Sequence, residues 1–160
     1  MVSNALCDMV PGEKIRFHGP HGYFTLRQPI RDSLLIATGT GIAPIRGMLE
    51  WLFANESRHT GHEFWLVYGT RFESDIYYRE EFEQMQAAHP NFHYRVTISR
   101  PSEQWAGLRG YVQEHVAEIA HGRTDMDAYI CGLADMVKAN RALLLEQGWD
   151  RKSIVYERFD

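Results

Sequence analysis

Gly39, Thr40 and Gly41 stand between an apolar run, Leu34-Leu35-Ile36-Ala37, and a helical pattern that begins at Ile42. Small residues at such a junction let the backbone approach a ligand closely, and a threonine there can cap the helix. Pro44 suits a first helical turn, where a missing N–H costs nothing. A helix start of this kind presents free amides to an anion, so the chemistry it predicts is a phosphate cradle. Gly-x-Gly alone is a weak signal, because a plain turn uses the same residues.

Further reactive residues close the other apolar runs. Gly69-Thr70-Arg71 ends one, Ser99-Arg100 a second, Cys131-Gly132 a third, and Glu157 to Asp160 the last. In open parallel sheets ligands bind beyond the carboxyl ends of the strands. Each glycine taken singly reads as a turn, and Cys131 taken singly as a small buried hydrophobe. Aligned on one rim, three glycine-bearing ends with Arg71, Arg100 and a thiol point to a nucleotide site.

The elements that would position them alternate strand with helix from Arg31 onward, which predicts a parallel sheet covered on both faces. The first run is a strand buried on both sides. Ile45, Met48, Leu49, Leu52 and Phe53 then recur at helical spacing. Strands are predicted over 64–68, 92–98, 128–131 and 154–156, and helices over 78–88, 112–120 and 133–147, with a loop at 107–110. The fold class is α/β, a three-layer, five-stranded parallel sheet of Rossmann-like type with helices on both faces. Ahead of it, 1–8 reads as a helical turn, and 13–18 and 23–26 as two short leftover antiparallel strands separated by Gly19-Pro20-His21-Gly22. Two short strands make no stable sheet alone. The domain boundary falls at 28/29.

Composition removes several function classes. The 160 residues suit one domain, 44% apolar and 24% charged, as in soluble globular proteins. A net charge of −4 and no basic tract argue against nucleic acid. No apolar stretch approaches the length of a membrane span, and no signal peptide is recognisable. Cys7 and Cys131 lie far apart without C-x-x-C, which predicts reduced thiols and a cytoplasmic location. Eight histidines include no H-x-x-x-H, so no metal site is expected. The ordinary dinucleotide fingerprint fails: its third glycine is Pro44, and no acidic residue ends the second strand. No Gly-Lys-Ser/Thr follows the glycines, which sets ATP hydrolysis aside. A phosphatase-like or kinase-like enzyme would need a carboxylate pair or nucleophile motif that does not occur.

Motifs in order along the chain resemble the nucleotide-binding domain of the ferredoxin–NADP reductase family. They are Gly-Pro-His-Gly-Tyr-Phe-Thr-Leu (19–26), Gly-Thr-Gly-Ile-Ala-Pro (39–44), Tyr-Gly-Thr-Arg (68–71) and Tyr-Tyr-Arg-Glu-Glu-Phe (77–82), followed by Ser-Arg (99–100), Gly-Tyr-Val-Gln (110–113) and Tyr-Ile-Cys-Gly-Leu (129–133). The resemblance covers residues 2–160. It implies that NAD(P)H passes hydride to a flavin, FAD or FMN, held by a preceding barrel domain. Gly39, Thr40 and Gly41 would hold the pyrophosphate, with Thr38, Ile42, Pro44, Gly69, Arg71, Gly132, Leu133 and Met136 among the cofactor-binding residues. Cys131 would stand beside the nicotinamide. Glu157 and Phe159 match a Glu-x-aromatic ending whose ring covers the flavin; Phe replaces the usual Tyr, and Asp160 extends past it. A terminal Phe that simply pins the last strand is the competing reading. Ser99, Arg100, Arg109, Tyr111 and Gln113 fall where NADP-specific members hold the 2′-phosphate and adenine, and guanidinium forks suit a phosphate dianion. NADH-using oxygenase reductases carry similar motifs, so NADP and NAD both stay open.

The Arg-x-Tyr-Ser-type strand that binds flavin in this family does not occur. Val2-Ser3-Asn4 resembles only the late flavin-pyrophosphate segment, and 13–26 only the barrel's last strands. Residues 1–28 are therefore expected to be a barrel remnant and 29–160 the NAD(P)-binding domain, incomplete as an enzyme on its own. Its expected partners are a flavin-binding domain and an electron acceptor, a ferredoxin or oxygenase component. A non-catalytic domain that binds pyridine nucleotide or a partner is the alternative. Unpaired strand edges seek partners, so residues 1–26 are expected to be disordered, folded back, or engaged in self-association.

Overall fold

The computed structural model describes residues 2–19 and 21–159. Pro20 of the expected turn and Asp160 of the expected ending lie outside the described residues.

Six strands form one parallel sheet: β1 (Ser33–Thr38), β2 (Phe64–Thr70), β3 (Phe92–Ile98), β4 (Leu108–Arg109), β5 (Asp127–Leu133) and β6 (Ile154–Phe159). Their order is β4-β3-β2-β1-β5-β6. The helices are α1 (Val2–Asp8), α2 (Ile42–Phe53), α3 (Arg79–Ala88), α4 (Val116–Ile119) and α5 (Ala134–Glu146). The α/β class, parallel sheet and helices on both faces agree with the sequence reading.

Alternation along the strands creates the three layers. Leu35, Ala37, Phe64, Leu66, Tyr68, Tyr129 and Cys131 share one core with Ile42, Ile45, Leu49 and Leu52 of α2 and Phe82 of α3. Their neighbours Leu34, Ile36, Trp65, Val67, Ala128 and Ile130 share the other with Val116 of α4 and Val137 and Leu144 of α5. Successive side chains point to opposite faces of a strand, and both faces here are dry. That is why β1 and β2 are near-continuous apolar runs rather than alternating ones.

Four details depart from expectation. A sixth strand, β4, pairs Thr97 with Leu108 and Ile98 with Arg109 inside the expected loop; two residues are too few to show a period. The expected helix over 112–120 splits into a 3₁₀ turn (Val112–Glu114) and the four-residue α4. Tyr78, expected to start α3, instead caps it at φ 56°, in the left-handed region. The two leading strands over 13–18 and 23–26 are not formed. Strand backbone needs a ladder partner for its N–H and C=O groups, and the described chain brings none beside them. Phe24, Leu26 and Ile30 instead fold back onto the first core. The Arg27 N–H donates to the Tyr129 hydroxyl at 2.9 Å, and Phe24 meets the Tyr129 ring edge-on. Phe17 and Tyr23 stay 79% and 97% exposed, so this segment's apolar residues are only partly covered.

Charged residues bind the amino ends of three neighbouring strands together. Arg123 Nη1 lies 2.7 Å from Asp32 Oδ2, and its Nε lies 2.9 Å from Asp125 Oδ1. The Glu63 N–H donates to Asp32 Oδ1 at 3.1 Å. These residues precede β1, β2 and β5, so the cluster sits at the end of the sheet opposite the glycine rim. Burial alone would raise the Asp32 carboxyl; Arg123, the Glu63 amide and His62 outweigh it and hold it below its ordinary value. A lowered carboxyl contributes stability above its unfolded pKa and loses it as pH falls through the folded one. Asp32→Asn is expected to cost about 1 kcal/mol at neutral pH, after allowance for partial exposure. In urea unfolding the gap from wild type closes as pH falls through and below the ordinary aspartate range, as the folded carboxyl takes up its proton; a gap of constant size would contradict this assignment.

Candidate functional site

The strand order reverses at β1, whose two neighbours are β2 and β5. Connections leave the sheet in opposite directions on either side of such a strand, so a crevice opens beyond its carboxyl end. A cavity of about 1000 Å³ occupies that position. Thr38, Gly39 and Thr40 form its floor, Gly69 to Phe72 and Ser99-Arg100 one side, and Leu133 to Met136 with Phe159 the other.

The floor depends on backbone contact. Gly41 lies so close to β5 that an added Cβ would collide with the Cys131 carbonyl oxygen and stand 2.7 Å from the Gly132 nitrogen. Only a residue without Cβ lets the start of α2 rest on β5 in this way. Gly132, at φ +147°, has the same property, since its Cβ would press on Thr38 Oγ1 and stand 2.8 Å from Met136 Cε. Gly69 is closed in by Val112 Cγ1 at 2.6 Å from its Cβ position. Ile42 and Pro44 lie behind the floor, in the first turn of α2.

Two helices begin at this cavity, α2 at its floor and α5 at the side formed by Leu133, Ala134, Asp135 and Met136. Their amino ends bring positive potential to one place. Arg71 and Arg100 add exposed guanidiniums on adjacent strand ends, held in register by the Arg100 N–H donating to the Arg71 carbonyl at 2.9 Å. Ser99 is fixed likewise, its N–H donating to the Thr70 carbonyl at 3.0 Å. Tyr111, 62% exposed, and Gln113 line the same side. Asp75 and Asp135 place carboxylates on the wall as well.

Of the residues singled out from sequence, Thr38, Gly39, Thr40, Gly69, Arg71, Ser99, Arg100, Tyr111, Gln113, Leu133, Met136 and Phe159 meet around this one cavity. Arg109 does not. Its Nη2 is held by the carbonyls of Ser102, Glu103 and Trp105 at 3.2, 3.4 and 2.8 Å, which clamps the loop ahead of β4. Cys131 lies one residue below the rim, fully buried. Burial, with the Glu157 carboxylate adding to it, pushes its thiol up to about 12. Glu157 is exposed and pairs with Cys131 in register, and Phe159 pairs with Leu133 at the cavity edge. Phe72, Asp75, Ala134, Asp135 and Ala139 also line the cavity and were not singled out from sequence; Thr70, Tyr77, Gly110 and Val112 stood in its motifs without a role of their own.

Residues 35–142 match the family of oxidoreductase NAD-binding domains. The chain belongs to the ferredoxin–NADP reductase family. It is 41% identical to ferredoxin–NADP reductase B of Sorangium cellulosum, over 99% of this chain and 67% of that protein. It is 32% identical to the toluate 1,2-dioxygenase electron transfer component of Pseudomonas putida, over 92% of this chain and 43% of that one. The cytochrome b5 reductase domain of Ulva prolifera nitrate reductase shares the fold, with a TM-score of 0.86 at 24% identity, over 98% of this chain and 65% of that one. The chain thus spans about two fifths to two thirds of these proteins. Among its described residues no helix is long and apolar enough to cross a membrane.

The two thiols differ in a way that checks the site's packing. The exposed Cys7 is expected to react with a thiol reagent at mildly alkaline pH, while buried, protonated Cys131 reacts only after denaturation. Mass spectrometry of labelled peptides would show it, and rapid labelling of Cys131 in the folded chain would contradict this placement.

Proposed function

We propose that this domain binds NAD(P)H in the switch-point cavity and presents the nicotinamide to FAD or FMN held by a separate barrel domain. The observation that supports this most is the meeting of two helix amino ends, two exposed arginines and a glycine-lined floor around one cavity. The residues fit a dinucleotide. Gly39, which lines the cavity, has nothing within 4 Å of its Cβ position, and Thr38 Oγ1 is buried without a hydrogen-bond partner among the described residues. They do not fit a flavin, because residues 9–19 and 21–31 form no strand and no barrel surrounds the cavity among the described residues.

Bound NAD(P)H supplies a hydride, and this chain's part is orientation and electrostatics. The amides of Gly39 and Thr40 would hold the pyrophosphate, Arg71 and Arg100 with Ser99 a 2′-phosphate, and the exposed Tyr111 ring would cover adenine. Met136 and Leu133 would wall the nicotinamide end toward Cys131. The neutral thiol would exclude water there without adding charge, and Phe159, at the cavity edge beside Leu133, would cover that end. The acceptor beyond the flavin would be a ferredoxin or an oxygenase component. NADPH is the preferred donor in this reading, since the Arg71 and Arg100 guanidiniums line the cavity without a side-chain partner among the described residues, while Arg109 clamps its own loop.

Titration calorimetry tests the proposal. The chain is expected to bind NADP⁺, and Arg100→Ala to weaken NADP⁺ by about 10- to 100-fold, the range of a lost charge-assisted hydrogen bond. NAD⁺ binding should change little. Equal losses for both nucleotides would remove the 2′-phosphate role, and no binding of either at millimolar concentration would overturn the proposal. Binding without flavin reduction, when a cognate barrel is supplied, would favour a non-catalytic domain.

A further inference from the structure

Tyr68, beneath the floor, is fully buried and polar toward the cradle. Its ring lies in the first core, in register with Ala37 of β1. Its hydroxyl donates to the Gly39 carbonyl at 3.1 Å, with the Asp75 carbonyl a longer 3.4 Å away. Gly39 and Asp75 belong to different connections, and both line the cavity. Burial holds the phenol pushed up to about 12, so it stays a donor at every physiological pH.

The consequence follows from the peptide unit. A trans peptide is planar, with its C=O and N–H pointing in opposite directions. The Gly39–Thr40 peptide has its C=O drawn inward to Tyr68, so its N–H, that of Thr40, is turned outward toward the cavity. Gly39 sits at φ +52° with nothing within 4 Å of its Cβ position. A glycine backbone in open space flips at little steric cost, so packing around Gly39 does not fix the plane. The hydrogen bond from Tyr68 can. The Ile42 N–H also caps the Gly39 carbonyl, but it comes from the same turn and moves with it.

We infer that Tyr68 is a positioning residue that orients the Gly39–Thr40 peptide so that the Thr40 amide meets the pyrophosphate of the nucleotide. This rests on the proposed function and adds to it a residue that never touches the ligand. Tyr68→Phe removes the donor while keeping the ring, and the Gly39 carbonyl retains the Ile42 N–H, so the variant stays folded.

The test is a titration of ADP-ribose, which carries the pyrophosphate without nicotinamide, into ¹⁵N-labelled wild-type chain and Y68F, followed through the amide resonances. Y68F is expected to bind about 3- to 10-fold more weakly, the range of one net hydrogen bond. The ligand-induced shift of the Thr40 amide should shrink at saturation, while those of Tyr111 and Gln113 persist. Tight binding by Y68F with an unaltered Thr40 shift would overturn the inference alone. So would a uniform loss of all ligand-induced shifts, since that is what a merely structural role produces. No binding by the wild-type chain would overturn the functional proposal and this inference with it.

Discussion

The start of α2 can rest against β5 only because two residues lack a Cβ. Gly41 packs on the Cys131 carbonyl and Gly132 makes room for Thr38. Both are contacts between neighbouring strand ends at the point where the sheet order reverses. Had either carried a side chain, β1 and β5 could still pair, but their connections would separate and the floor of the cavity would open. A methyl forced into such a contact costs about 1–3 kcal/mol by overpacking, a large share of a domain's net stability. The geometry that shapes the ligand site is therefore also a condition for closing the fold.

The two ends of the sheet divide the work. At the amino ends, Asp32, Arg123 and Asp125 tie β1, β2 and β5 together through charge, with the Glu63 backbone amide donating to Asp32. At the carboxyl ends the tie is backbone against backbone, which leaves arginines and amides free to face a ligand. Between them lie two dry layers, each supplied by every second residue of the same strands. Asp127 shows the limit of the charged end. Burial raises its carboxyl, and Arg31, 3.4 Å away and half exposed, only partly offsets it.

Much of this could be read from the residues, and the failures have physical causes. The run Leu34-Leu35-Ile36-Ala37 identified a doubly buried strand because parallel sheets leave no wet face to interrupt it. Gly39 to Pro44 and Cys131-Gly132 were recognisable because close approach admits few residue types. β4 was invisible because two residues carry no periodicity. The leading strands were over-read: Ile15 and Phe17 alternate properly, but a strand is a property of a pair, and no ladder partner lies beside them in the described chain. Arg109 looked like a phosphate ligand because sequence gives side-chain type and not what it already holds. Tyr68 read as one more apolar residue of β2, since only its register against Ala37 brings the hydroxyl under Gly39.

The central claim is that the switch-point cavity holds a dinucleotide with its pyrophosphate on the Gly39–Thr40 floor. A crystal structure of the chain grown with NADP⁺ tests it most directly. The expected density places the two phosphates against the Gly39 and Thr40 amides and the 2′-phosphate between Arg71 and Arg100. Density for the nucleotide elsewhere on the chain, or phosphates at the rim with the floor empty, would contradict it.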